Sequence, residues 1–112
     1  MDKILNIEKA IKIFDYDVAL YKELMNEFFK KYPKYMEEIL NNIKDEKEKE
    51  TTFTAHMLKG MLATLGAEKA EKAAFLLEKE KCSGNFLMLY EKLDMELTNL
   101  KEFFIKNNNL LK

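Results

Sequence analysis

The sequence predicts an all-α protein, an antiparallel up-down four-helix bundle with a short extra N-terminal helix. Apolar residues recur at spacings of three and four along nearly the whole chain, as amphipathic helices require. Leu, Lys, Glu, Ala and Met, which favour helix, dominate the composition. Breakers are rare, with one Pro and three Gly in 112 residues.

The elements follow in order. A short first helix over about residues 4–14 carries Ile4, Ile7, Ile11 and Phe14 on one side. Asp15 and Asp17 offer cap and dipole chemistry for the next start. From Val18, the stripe Leu20, Leu24, Phe28, Tyr32, Met36, Ile39 and Ile43 keeps one face. Pro33 lacks an N–H and clashes with the preceding turn, so a kink or break is expected near Phe29. The stripe holds its phase across Pro33, which favours one kinked helix over two.

Residues 44–50, Lys-Asp-Glu-Lys-Glu-Lys-Glu, contain no apolar side chain and read as a solvated helix end and a connection. Thr51 or Thr52 is suited to cap the next helix, which runs to about Leu65. Gly66 suits the left-handed residue that ends it. A helix over residues 67–81 places Ala70, Ala73, Ala74 and Leu77 together, small enough for a neighbouring helix to come close. Cys82-Ser83-Gly84-Asn85 is turn chemistry. The last helix carries Phe86, Leu89, Tyr90, Leu93, Leu97, Leu100 and Phe104, and Asn107, Asn108 and Asn109 mark its fraying end. Short connections imply antiparallel neighbours, with the small N-terminal helix across one end. Residues 1–112 form a single domain, and the Met1 start favours a free-standing protein.

Composition closes several functional classes. The net charge is −1 with both signs interspersed, so no basic face points to nucleic acid. The N-terminus lacks a signal-peptide core and no apolar run spans a bilayer, which makes the expected address cytoplasmic and excludes a membrane partner. One His and one Cys fall short of the usual zinc ligand count, so no metal site is expected. The lone Cys82 forms no internal disulfide, in keeping with a reducing compartment. There is no Arg, hence no guanidinium clamp for phosphate. No Gly-rich phosphate loop or Asp-Phe-Gly motif supports an autonomous kinase.

Histidine chemistry therefore has one candidate, His56. On a helical wheel at about 100° per residue, Ala55, Leu58, Leu62 and Leu65 form the core stripe of its helix. Thr52, His56, Lys59, Gly60 and Ala63 share a different face, which places the imidazole in solvent. A mid-helix glycine costs roughly 1 kcal/mol relative to Ala. Gly60 lies off the core side, so close helix packing does not explain it; approach of something else to the backbone beside the imidazole does. A solvated imidazole is partly neutral and nucleophilic at pH 7 and can take a phosphoryl group on a ring nitrogen. Lys59 would offset the added charge as a point cation.

The run Ala55-His56-Met57-Leu58-Lys59-Gly60-Met61-Leu62-Ala63-Thr64-Leu65-Gly66-Ala67 resembles the signature of histidine-containing phosphotransfer (HPt) domains. That pattern is His, any residue, an apolar residue, Lys, Gly, and Leu-Gly-Ala at the helix end. The acidic start, apolar stripe and Tyr-Pro of residues 15–35 are similar to the family's preceding helix. Bulky Met61 and Leu62 depart from the small residues the family often has there; Leu62 belongs to the core stripe, and Met61 lies where it can shape partner choice.

The resemblance implies a phosphocarrier without an ATP site of its own. It would shuttle a phosphoryl group between the aspartates of two receiver domains in a multistep two-component phosphorelay. The receiver supplies the Asp and the Mg²⁺, and this chain needs no cofactor. His56 is the expected phosphoacceptor, Lys59 its charge support and Gly60 the clearance for docking. Thr52, Met57 and Ala63 are the expected partner-binding residues, and Tyr16, Phe53 and Met57, which fit the core stripes poorly, suggest an apolar rim. Expected partners are response-regulator receiver domains and a hybrid sensor histidine kinase, with the chain itself a monomer. The alternative is a non-phosphorylated helical adaptor that binds receivers or other signalling proteins while His56 stays idle.

Overall fold

Asn6 starts the first helix. Its side-chain oxygen accepts the Lys9 N–H at 3.2 Å, so α1 covers Ile7–Ile13 and the expected start at Ile4 moves inward. The computed structural model describes residues 2–107, in which α1 is followed by α2 (Val18–Lys44), α3 (Glu48–Leu65), α4 (Glu68–Lys79) and α5 (Phe86–Asn107). A short 3₁₀ turn at Ser83–Asn85 precedes α5, and the described residues contain no strand. Asn107 is helical, and Asn108 and Asn109, expected to fray, lie outside the described residues.

Asp17 caps α2 by accepting the Leu20 N–H at 3.0 Å. Asp15 does not act as a cap. Asp15 and Tyr16 take left-handed φ values of 53° and 62° and form the exit from α1, with the Tyr16 N–H reaching the Ile11 carbonyl at 2.8 Å. From there α2 runs unbroken through Pro33, so one helix rather than two forms, as the continuous stripe favoured.

The buried side of α2 differs from the expected stripe at its N-terminal half. Tyr21, Met25, Phe28, Phe29, Met36 and Ile39 are buried, whereas Leu20 and Leu24 are exposed. Residues spaced by four advance about 400°, gaining about 40° at each step. Four such steps from Leu20 to Met36 turn the face by almost half a circle, which carries Leu20 and Leu24 out of the core.

Neither Thr51 nor Thr52 caps α3. The helix starts at Glu48 with Lys47 in the cap position, and no side chain caps it. Thr51 is buried and its hydroxyl donates to the Lys47 carbonyl at 2.9 Å; the Thr52 hydroxyl donates to the Lys49 carbonyl at 3.2 Å. The acidic residues Glu48 and Glu50 fall in the first turn, where the helix dipole favours negative charge and lets the helix begin early.

Helices α2 to α5 close a ring in which α2 packs on α3, α3 on α4, α4 on α5 and α5 back on α2. Ala55, Leu58, Leu62 and Leu65 of α3 face Ala70, Ala73, Ala74 and Leu77 of α4 and Leu93, Leu97 and Leu100 of α5 across one core. The alanines let α3 and α4 come close. Helix α4 stops at Lys79, short of Lys81, because Glu80 turns extended and its carboxylate accepts the Lys81 and Cys82 N–H groups.

The corner between α3 and α4 is fastened from several sides. Gly66 ends α3 with φ +78°, the left-handed conformation expected of it. The Asn6 N–H donates to the Gly66 carbonyl at 2.7 Å, and the Lys69 N–H to the Lys3 carbonyl at 3.0 Å. The Glu68 carboxylate accepts from the Lys3 N–H and the Asn6 side chain, which hold its pKa below the usual carboxylate range. The buried Tyr21 hydroxyl donates to the Leu65 carbonyl at 2.7 Å. Among the described residues, no helix is long and apolar enough to cross a membrane.

Candidate functional site

Burial of Ala55, Leu58, Leu62 and Leu65 fixes the rotation of α3 and turns His56 outward, its side chain 61% exposed. One turn further on, Gly60 is exposed, and a Cβ built there would meet no atom within 4 Å. The bare flank inferred from the wheel is therefore present. Lys59 departs from that picture. Its side chain is only 25% exposed and leans toward α4 rather than into solvent.

The residue that draws it there is Glu78. Its side chain is 13% exposed and joins the side chains of His56 and Lys59. Lys59 Nζ lies 2.8 Å from Oε1, and His56 Nδ1 lies 3.1 Å from Oε2. Oε1 is out of reach of water, and among the described residues Lys59 is its only partner, held as an ion pair rather than as a well-angled hydrogen bond. Lys79 Nζ stands 3.7 Å from Oε2. The Lys59 ammonium, seconded by His56, keeps the Glu78 carboxyl below the usual carboxylate range against the opposing effect of burial.

An ionised carboxylate only accepts hydrogen bonds, so Nδ1 carries the proton that faces it. In the neutral imidazole, the lone pair then sits on Nε2. Among the described residues Nε2 bonds to nothing. The carboxylate thus sets the tautomer, fixes the ring and can stabilise positive charge that develops on it, as the carboxylate of a catalytic triad does.

The structure brings His56, Lys59 and Gly60 onto one surface. It places the expected partner-binding residues less uniformly. Thr52 and Ala63 are half-buried and make no hydrogen bond to His56. Met57 turns toward α2, lining a shallow pocket with Phe53, Thr54, Glu38 and Asn42. Of the expected rim, Tyr16 and Phe53 are exposed. Met61 lines an apolar groove between α2 and α3 with Phe14, Leu24, Phe28, Tyr35 and Leu65. Cys82 is a free, exposed thiol. No group of three or more His, Cys, Asp and Glu among the described residues is arranged to hold a metal ion.

Sequence reasoning missed Glu78, although a signal existed. Ala70, Ala74 and Glu78 form one row at a spacing of four along the face of α4 that packs on α3. Where two alanines admit a neighbouring helix, a carboxylate next in the row reaches that helix's side chains.

The family model for the Hpt domain matches residues 23–103, which include the whole of α3 and α4 and with them His56, Lys59, Gly60 and Glu78. The chain belongs to the Hpt domain family. No match was found among curated proteins or among solved structures. Hpt domains are phosphoryl carriers of phosphorelays that interact with receiver domains, and they are not ATP-binding kinases. The α-helical bundle agrees with membership, and the matched span begins within α2 and ends within α5.

Proposed function

We propose that this Hpt domain is an intermediate carrier in a multistep two-component relay, accepting a phosphoryl group from the aspartate of one receiver domain and delivering it to another. The observation that carries this reading is His56 itself, with Nδ1 bound to the Glu78 carboxylate and Nε2 exposed beside a glycine that leaves its flank open.

The transfer balances without a proton leaving the site. The Nε2 lone pair forms the N–P bond as the P–O bond to the receiver's aspartate breaks, and the electron pair of that bond returns to the aspartate carboxylate. Nδ1 keeps its proton, the ring becomes cationic, and Glu78 lies in hydrogen-bond contact with it. Reversal of the same steps delivers the group onward. Mg²⁺ belongs to the receiver. Lys59 contributes its charge through Glu78, keeping that carboxylate ionised. The exposed apolar groove beside Met61 is the surface we assign to partner choice, with Thr52, Met57 and Ala63 as outer contacts. We take the carrier to act as a cytoplasmic monomer.

Incubation with a labelled, phosphorylated receiver domain tests this. Acid-labile, base-stable label is expected on the wild type, and His56→Ala is expected to remove it completely while the bundle stays folded. Label that survives acid, or that persists in His56→Ala, would overturn the proposal. Receiver binding without any label would make the chain an adaptor.

A further inference from the structure

Two lysines border the Glu78 carboxylate that holds His56, and the structure separates their positions. Lys59 is committed. It lies 2.8 Å from Glu78 Oε1, an oxygen shut off from water with no other partner among the described residues, and its own side chain is largely covered. Withdrawing it would strand a covered carboxylate oxygen, which is among the costlier changes a protein can undergo. Lys79 is uncommitted. It stands at 3.7 Å from Oε2, its side chain is 60% exposed, and Oε2 keeps His56 Nδ1 if Lys79 leaves.

Phe75 links the two. Its ring is 42% exposed and lies 5.4 Å from the Lys59 ammonium and 5.7 Å from that of Lys79, both within cation–π range. An exposed aromatic ring that contributes little to the core thereby keeps Lys79 close to the carboxylate without a short ion pair to break.

We propose that Lys79, rather than Lys59, is the cation that moves onto the phosphoryl group of phosphorylated His56, and that Phe75 holds it ready. The assignment rests on the carrier function proposed above. Charge supports it. With neutral His56, ionised Glu78 and two ammonium groups, the unmodified cluster carries one net positive charge. The incoming phosphoryl group brings one net negative charge and leaves the cluster neutral. Without Lys79 the phosphorylated cluster would end net negative.

The equilibrium between a phosphorylated receiver domain and this chain tests the assignment, because an equilibrium ratio is blind to docking rates. Lys79→Met is expected to lower the phosphorylated fraction of the chain relative to the receiver by about fivefold at low salt, the range of one exposed ion pair. Added salt should shrink that difference. Lys79→Arg should restore most of it, and Phe75→Leu should fall between. Lys59→Met serves as the contrast, expected to cost thermal stability through the stranded carboxylate. A Lys79→Met ratio equal to wild type would overturn the assignment. So would a Lys59→Met protein that keeps full thermal stability yet loses the fivefold. A wild type that takes no label removes the carrier reading and this assignment together, whereas a labelled wild type matched by Lys79→Met removes this assignment alone.

Discussion

Gly60 and Gly66 stand six residues apart, in and at the end of the same helix, and their surroundings are opposite. At Gly66 a Cβ would come within 2.6 Å of the Asn6 carbonyl oxygen and 3.0 Å of the Ala10 Cβ, on a backbone with φ +78°. At Gly60 a Cβ would meet nothing within 4 Å, on a helical backbone any residue adopts. The first glycine is required by the protein's own packing. The second meets no neighbour that would require glycine, and it stands one turn from an exposed His56. The corner around Gly66 serves the fold, and under the proposed function the turn around Gly60 serves a partner.

Substitution at the corner should have the largest effect. Gly66→Ala combines a strained left-handed residue with a clash against backbone, and about 3 kcal/mol of stability should be lost. Chemical denaturation measures it. The loss should fall on the α3–α4 corner and on residues 3–6, which bond to it, and amide exchange would show those groups opening first. A loss below about 1 kcal/mol would mean that the N-terminal segment gives way easily, and the contrast between the two glycines would weaken.

The next effect is at Tyr21. Its buried hydroxyl donates to the Leu65 carbonyl beside Gly66, and burial pushes the phenol pKa up, so the donor stays protonated throughout the neutral range. Tyr21→Phe leaves the ring packed against Phe14 and removes only the bond. The buried carbonyl then lacks that donor, and a loss of about 1–2 kcal/mol is expected by denaturation, with phosphoryl acceptance unchanged. If acceptance fell with stability, the corner would be serving the partner as well.

These two regions also differ in how far the sequence revealed them. Gly66 and the core stripe of α3 were legible because both depend on local rules, a left-handed helix end and a period of 3.6. The exposure of His56 followed from the same wheel. What escaped were features set by neighbouring helices. Glu78 lies on α4, twenty-two positions from His56, and only the close approach of α3 and α4 brings it to the ring. The same contact turned Lys59 from a solvated cation into the partner of a covered carboxylate. Leu20 and Leu24 were misplaced for a geometric reason, since a spacing of four is a good local guide that drifts over several turns. The start of α3 was misread because cap preference pointed to Thr51 and Thr52, while the charges of Glu48 and Glu50 favoured an earlier turn.

The smallest change in stability should be the most informative, and it has the opposite sign. Gly60→Ala reduces the freedom of the unfolded chain and places a methyl group in open space, so the protein should gain about 0.5–1 kcal/mol. If the space is reserved for a receiver, the same methyl group should slow phosphoryl transfer from a labelled receiver domain, and Gly60→Gln should slow it further while leaving the fold intact. Stability and transfer would then move in opposite directions at one residue. A structural role cannot produce that result, because a glycine needed for packing loses both when replaced. Transfer at the wild-type rate in Gly60→Gln would show that the partner approaches His56 from another side. The bare flank would then have no functional reason, and the contrast with Gly66 would reduce to a difference in packing.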